Sequence, residues 1–193
     1  MTAPQRFTVF TRILHWAMAV LVVAMLLIGF AMVTSLADYR LLQAVHRPLG
    51  ALVLLLAVVR IANRLRHRPP PAPLGKMERL AATGSELLLY LLLLAQPLVG
   101  WAMVSASGTP AVLFGSVHLP AITPANADLY SVLRTAHSLL AYALFITFTA
   151  HLLAVLFHSL VLRDRLLSRM TFGRRAAQQR DLPPGSDPQP SEG

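Results

Sequence analysis

Histidine carries most of the reactive chemistry in this chain. There are seven, and five of them, His15, His46, His137, His151 and His158, fall within or at the ends of long apolar runs. An ionisable side chain is costly there, and where one is kept it usually faces other helices and marks a ligand site, a proton path or an ion path. The plainer use is a hydrogen bond between helices, or a ring drawn to the membrane surface. His137 and His151 lie 14 residues apart in one run. At ~100° per residue that is about 40° short of four turns, so both imidazoles leave one helix face, ~21 Å apart along the axis. Two rings at two depths on one face suit two stacked iron porphyrins, each taking its second axial imidazole from another helix.

Other uses of the same residues fit less well. A zinc or copper site wants three or four ligands converging on one level, whereas these histidines come as pairs at two levels. A proton-driven transporter normally shows mid-helix carboxylates and internal repeats; Glu86 is the one candidate carboxylate, and no repeat is evident. The chain has no cysteine, which removes iron–sulfur ligation, thiolate-ligated haem and the covalent attachment that needs C-x-x-C-H. The expected group is therefore haem b, held non-covalently. With both axial positions filled, the iron has no place for oxygen and serves electron transfer.

The elements that must position these rings are membrane helices. Hydrophobic residues make up 55% of the 193 positions and charged residues 13%, a balance that a soluble domain of this length could not hide in one core. The expected fold is an all-α integral membrane bundle of four transmembrane helices, near Phe10–Val33, Leu41–Leu65, Leu80–Val104 and Tyr130–Leu162. The first run is too long for a signal-peptide core and carries His15 and Trp16 in its first turns, so it reads as a retained helix. Gln96-Pro97 predicts a kink in the third helix. The haem domain is expected over 1–175, and the stretch 176–193, rich in Pro, Ser, Gly and Asp, reads as a disordered cytoplasmic tail.

The net charge of +9 is topological. Of the 17 Lys and Arg, only Arg40, Arg47 and Arg134 sit at one set of helix ends. All the others cluster at the opposite set, which is the cytoplasmic one. Both termini and the Pro-rich segment Arg68 to Pro73 are then cytoplasmic, and nucleic acid is not an expected partner; the lipid bilayer is. With that orientation, His46 and His137 share the outer level and His15 is left for the inner one. Its partner stays open between His151 and His158: His158 matches His15 in depth, and the seven-residue spacing puts both rings on nearly one face. Gly50, four residues after His46, is a place where a porphyrin could come close. His67 and His118 are expected to be exposed.

These residues together resemble a known family. His15-Trp16, His46, Tyr90, Gln96-Pro97-Leu98-Val99-Gly100-Trp101, the loop Gly108-Thr109-Pro110 to Phe114-Gly115, and His137 with His151 are similar to bacterial cytochrome b561, over roughly Arg6 to Phe172. The resemblance implies a di-haem cytochrome of the bacterial inner membrane, with His46 and His137 on the outer haem and His15 and His151 on the inner. It also implies an activity: members that act as superoxide oxidases take electrons from superoxide outside and reduce ubiquinone. Cytochrome b subunits that relay electrons from a dehydrogenase, a hydrogenase or a c-type cytochrome are the alternative. On this basis His158 is free, and with Lys76 and Arg79 it becomes a candidate for the quinone and its protons. Arg47 and Arg134 flank the outer pair, where they either attract an anion such as superoxide or hold haem propionates. The loop Ser105 to Leu129 is expected to fold over the bundle as a lid.

Overall fold

The computed structural model describes residues 7–67 and 75–162. Within them the chain forms α1 (Val9–Thr34), α2 (Tyr39–Arg66), α3 (Lys76–Ala106), a hairpin of β1 (Ala111–Leu113) and β2 (Val117–Leu119), and α4 (Ala127–Phe157), which continues as one π-helical turn, His158–Leu162. All four helices are long and apolar enough to cross a membrane. Even the shortest, α1 with 26 residues, spans ~39 Å at ~1.5 Å per residue, against a hydrocarbon layer of ~30 Å. The stretches Arg68–Pro73 and 176–193 lie outside the described residues.

Local chemistry sets the helix starts. The Thr8 hydroxyl accepts from Thr11 N at 3.2 Å, and Asn126 Oδ1 accepts from Leu129 N at 2.8 Å, so each caps a helix whose first N–H groups have no partner within it. At α3 the cap position is Gly75, which has no side chain; Glu78 reaches back instead and accepts from Gly75 N at 3.0 Å. That contact starts α3 at Lys76, four residues before the apolar run does, and places Lys76 and Arg79 in its first turn. Helix α3 then runs through Pro97 without a break.

The loop between α3 and α4 is a lid with a hairpin in it, a strand element that the apolar pattern does not announce. Val112 pairs with His118, between Ala111–Leu119 and Leu113–Val117. The turn closes through Ser116 N to Leu113 O at 3.2 Å, with Phe114 and Gly115 both at positive φ (49° and 77°), the backbone sense that fits the twist of paired strands. Bonds to the end of α3 hold the lid down: Trp101 Nε1 to Pro120 O at 3.0 Å, Ile122 N to Ser105 Oγ at 3.2 Å and Thr123 Oγ1 to Ala102 O at 2.9 Å.

Helix α1 packs along α2, α3 along α4, and α2 on α3, whereas α4 makes no extensive backbone contact with α1 or α2 among the described residues. The core sits at mid-bundle, with Met18 and Val22 from α1, Val53 and Ala57 from α2, Leu92 and Leu93 from α3 and Leu144 from α4. Four crossings return the chain to the side where it began. Green fluorescent protein fused after Gly193 is expected to fluoresce in the cytoplasm, and alkaline phosphatase inserted at Gly115 is expected to be active outside. An active phosphatase at the C-terminus would overturn the orientation drawn from Lys and Arg.

Candidate haem sites

Helices α2 and α4 carry His46 and His137 into the bundle, and their ring centres stand 6.3 Å apart with the planes at 73°. Two imidazole–metal bonds of ~2.0–2.1 Å, with about 1 Å from each nitrogen to its ring centre, add to roughly 6 Å. One ion therefore fits between the facing rings. Around them, His46 Nδ1, His137 Nδ1, Arg47 Nε and Gln96 Oε1 are buried with no hydrogen-bond partner. Unpaired buried polar atoms are costly; the Arg47 Nε–H is a donor that a porphyrin's carboxylate arm would accept from, and two imidazoles are the ligand type a haem iron takes. Gln96 Nε2 lies 3.3 Å from His137 Nε2, so an iron on that nitrogen takes the place of this contact.

The backbone makes room for the rings. A Cβ at Gly100 would lie 3.1 Å from His137 Cε1 and 3.4 Å from its Nδ1; one at Gly29 would lie 3.9 Å from His46 Cε1. Gly100 is thus a close approach that only glycine allows without moving the imidazole. Gly50 is a different case from the one expected: its open side faces Met25 Cε of α1 at 3.6 Å, so it serves the α1–α2 contact.

At the other level His15 of α1 is within electrostatic reach of His151 of α4 and of Arg60 of α2. Arg12, one turn before His15, is buried. His151 also senses Glu86 and Arg60. These belong to a network that sequence reasoning did not assemble. Arg60 Nε donates to Tyr90 Oη at 3.2 Å with its guanidinium carbon 5.9 Å from the centre of that ring; Tyr90 Oη donates to Glu86 Oε1 at 3.3 Å; and Arg64 pairs with the same oxygen at 2.9 Å. Seven-residue steps tie the levels together on α4, where Leu144 stands midway between His137 and His151 in the apolar core. Helices α2 and α4, which bring His46 and His137 together, share no extensive backbone contact among the described residues.

The other expected residues lie as follows. Arg134 is exposed on α4 and donates to Tyr130 Oη at 3.4 Å. Lys76 and Arg79 are exposed at the start of α3. His158 is half-buried at the first position of the π turn, edge-on to Phe157 with ring centres 6.1 Å apart. His67 and His118 are exposed. The contacts that sequence reasoning missed, those of Gly29, Gly100, Arg60 and Arg64, gave little signal: a glycine in a membrane helix is common, and an arginine at a helix end reads as topology.

Residues 6–173 match the family model described as prokaryotic cytochrome b561. The chain is 34% identical over 176 residues to cytochrome b561 homolog 2 of Escherichia coli strain K12, covering 86% of this chain and 92% of that protein. Identity to the probable superoxide oxidase CybB of Yersinia pestis is 34% over 132 residues, 67% of this chain and 74% of that protein. For cytochrome b561 homolog 1 of E. coli strain K12 it is 30% over 165 residues, 81% and 92%.

The two glycines give a paired test of the outer site. Gly100→Val drives a side chain into the His137 imidazole, and haem measured as the pyridine haemochrome is expected to fall from about two to about one per chain, since an overpacked site loses its axial ligand geometry. Gly29→Ala adds a methyl at ordinary contact distance and is expected to keep the full content. Equal haem in both proteins would show that the close approach at Gly100 does not set the His137 ring.

Proposed function

The chain belongs to the prokaryotic cytochrome b561 family, haem-b proteins of membrane electron transfer, and from that premise we propose that it is a di-haem superoxide:ubiquinone oxidoreductase. The observation that carries the proposal is the close approach of His46 and His137 across the bundle, with His15 of α1 and His151 of α4 beyond the apolar core from them. In it His46 and His137 hold one haem b, and His15 and His151 hold the other. Bound haem b supplies a reversible one-electron iron couple; everything else falls to the chain's own residues. The similarity to a protein named as a probable superoxide oxidase supports superoxide as the donor.

The outer level suits a small anion. Arg47 beside His46 and Arg134 one turn before His137 make a positive mouth in a low-dielectric wall, an arrangement that raises the local concentration of an oppositely charged reactant. Each superoxide gives up one electron and leaves as dioxygen. Met18, Val22, Val53, Ala57 and Leu144 keep water out of the path between the levels. At the arginine-rich end two electrons and two protons from cytoplasmic water convert ubiquinone to ubiquinol, one new O–H bond on each carbonyl oxygen. His158, Lys76 and Arg79 stand at that end of the bundle, and so does the Arg60–Tyr90–Glu86–Arg64 network.

Three outcomes are expected from the purified protein. Pyridine haemochrome analysis gives about two haems per chain; His137→Ala and His151→Ala each lose one, with different spectra remaining, because losing one axial imidazole loosens the pocket. In stopped flow, superoxide reduces the protein and a ubiquinone analogue reoxidises it. The reduction step slows as salt is raised from ~0.01 to ~0.15 M, where the screening length falls from ~30 to ~8 Å, and slows further in Arg134→Glu at full haem content. Reduction by a bound protein donor but not by superoxide would instead place the chain among the cytochrome b subunits that serve as membrane anchors.

A further inference from the structure

Between α2 and α3 lies a groove of about 220 Å³ lined by Ile61, Arg64, Leu65, Leu87, Tyr90, Leu91 and Leu94. At ~30 Å³ per water its volume equals about seven waters, room for one substituted six-membered ring. Leu65, Leu87 and Leu91 are 79%, 59% and 56% exposed, so the groove opens on the flank of the bundle through apolar side chains. Two of its walls are polar: the Tyr90 hydroxyl, and the Arg64 guanidinium, whose partner Glu86 lies on the same network. A lateral apolar mouth with hydrogen-bond donors at one end selects an amphiphile that enters from the bilayer and presents a polar head on a long apolar tail.

We infer that this groove takes the ring of the quinone, with Arg64 donating to a carbonyl oxygen, the Tyr90 hydroxyl turning from Glu86 to donate to it as well, and the isoprenoid tail leaving past Leu65, Leu87 and Leu91. The inference rests on the quinone reading above and gives it a location other than His158, Lys76 and Arg79, none of which lines the groove. Proximity to the inner histidines distinguishes this groove from a site for a structural lipid. Tyr90 lines the groove and accepts from Arg60 Nε, and Arg60 is within electrostatic reach of both His15 and His151, so the groove and the inner histidines share the Arg60 side chain as a common neighbour. The protons follow the same contacts. As the carbonyl oxygen gains electron density, the Tyr90 O–H bond breaks and a new O–H forms on the ring; Tyr90 is then reprotonated through Glu86, which draws on water at the arginine-rich end. The step runs once per carbonyl oxygen, with the two electrons arriving singly through the His15 and His151 level.

The test uses the full-length haem-loaded protein in detergent and needs three arms. An azido-ubiquinone photolabel is expected to attach to α2 and α3 peptides containing Leu65, Leu87 or Leu91, and excess decylubiquinone is expected to displace it, whereas phosphatidylglycerol vesicles are not. Leu91→Trp, which fills the groove from an exposed position, is expected to keep both haems and reduction by superoxide while slowing reoxidation by decylubiquinone about tenfold or more, a loss of ~1.4 kcal/mol in that step. Glu86→Gln is expected to keep the photolabel and slow reoxidation, with a larger solvent isotope effect. Label on the peptide of His158, slowed reoxidation in His158→Ala with Leu91→Trp unchanged, or displacement by phosphatidylglycerol would each overturn the location while leaving quinone as the acceptor. Wild-type protein that superoxide reduces but quinone does not reoxidise would overturn the quinone reading itself and the groove with it.

Discussion

The bundle depends on the spacing between α4 and the helices that carry His15 and His46. Helix α4 carries His137 and His151, and the histidines proposed to face them, His46 and His15, sit on helices with which α4 shares no extensive backbone contact among the described residues. Close packing is the normal state of a helix bundle, because every void forfeits dispersion contacts. Here α1 with α2 and α3 with α4 form two packed pairs joined along α2 and α3, and α4 meets α1 and α2 through side chains, Leu144 in the core and His137 opposite His46. The unpaired atoms of His46, Arg47, Gln96 and His137 at that spacing are tolerable in a membrane interior only if a polar group completes them. The position of α4 and the chemistry of its histidines are thus one constraint.

Much of this was legible before any coordinates. The 14-residue step from His137 to His151 gives one face and two depths by arithmetic on the helix period alone, and the apolar runs with their arginine-rich ends give four crossings. What stayed illegible depends on which neighbour a small residue meets. Gly50 looked like the haem-facing glycine because it follows His46 by one turn, yet it meets Met25, and the glycines beside the imidazoles are Gly29 and Gly100. Helix phase fixes a direction from the axis but not the identity of the helix lying in that direction. The hairpin escaped for another reason: strands of three residues are too short for alternation to register, and their stability comes from bonds to Trp101, Ala102 and Ser105 on α3. The start of α3 escaped because a contact three residues long, Glu78 on Gly75, overrides the polarity of the first turn.

Arginine shows how one residue type divides its work by depth. At the helix ends it fixes orientation through its charge, and there the number of residues matters more than their contacts. Arg47, Arg60 and Arg64 lie deeper, half-buried; Arg60 meets the Tyr90 hydroxyl and Arg64 the Glu86 carboxylate, while Arg47 keeps a buried Nε with no hydrogen-bond partner. A guanidinium that far from water persists where it is paired or aimed at an anion, which is why these positions carry chemistry and the exposed ones carry topology. A count of basic residues treats both groups alike, so the sequence read Arg60 and Arg64 as topology only.

The separation of the two levels has its own logic. An electron can cross an apolar layer between two metal sites, whereas a proton needs polar groups within hydrogen-bond reach. Met18, Val22, Val53, Ala57, Leu92, Leu93 and Leu144 form such a layer, with no titratable side chain among them. Below it, Tyr90, Glu86, Arg60 and Arg64 form a hydrogen-bonded chain that ends at a half-exposed ion pair. Such an arrangement lets electrons pass and makes protons enter from one end only. A chain built this way couples a donor that needs no proton on one side to an acceptor that needs two on the other. The proposed pairing of superoxide with a quinone has that stoichiometry, and the polar chain lies on the side where the quinone's protons must be supplied.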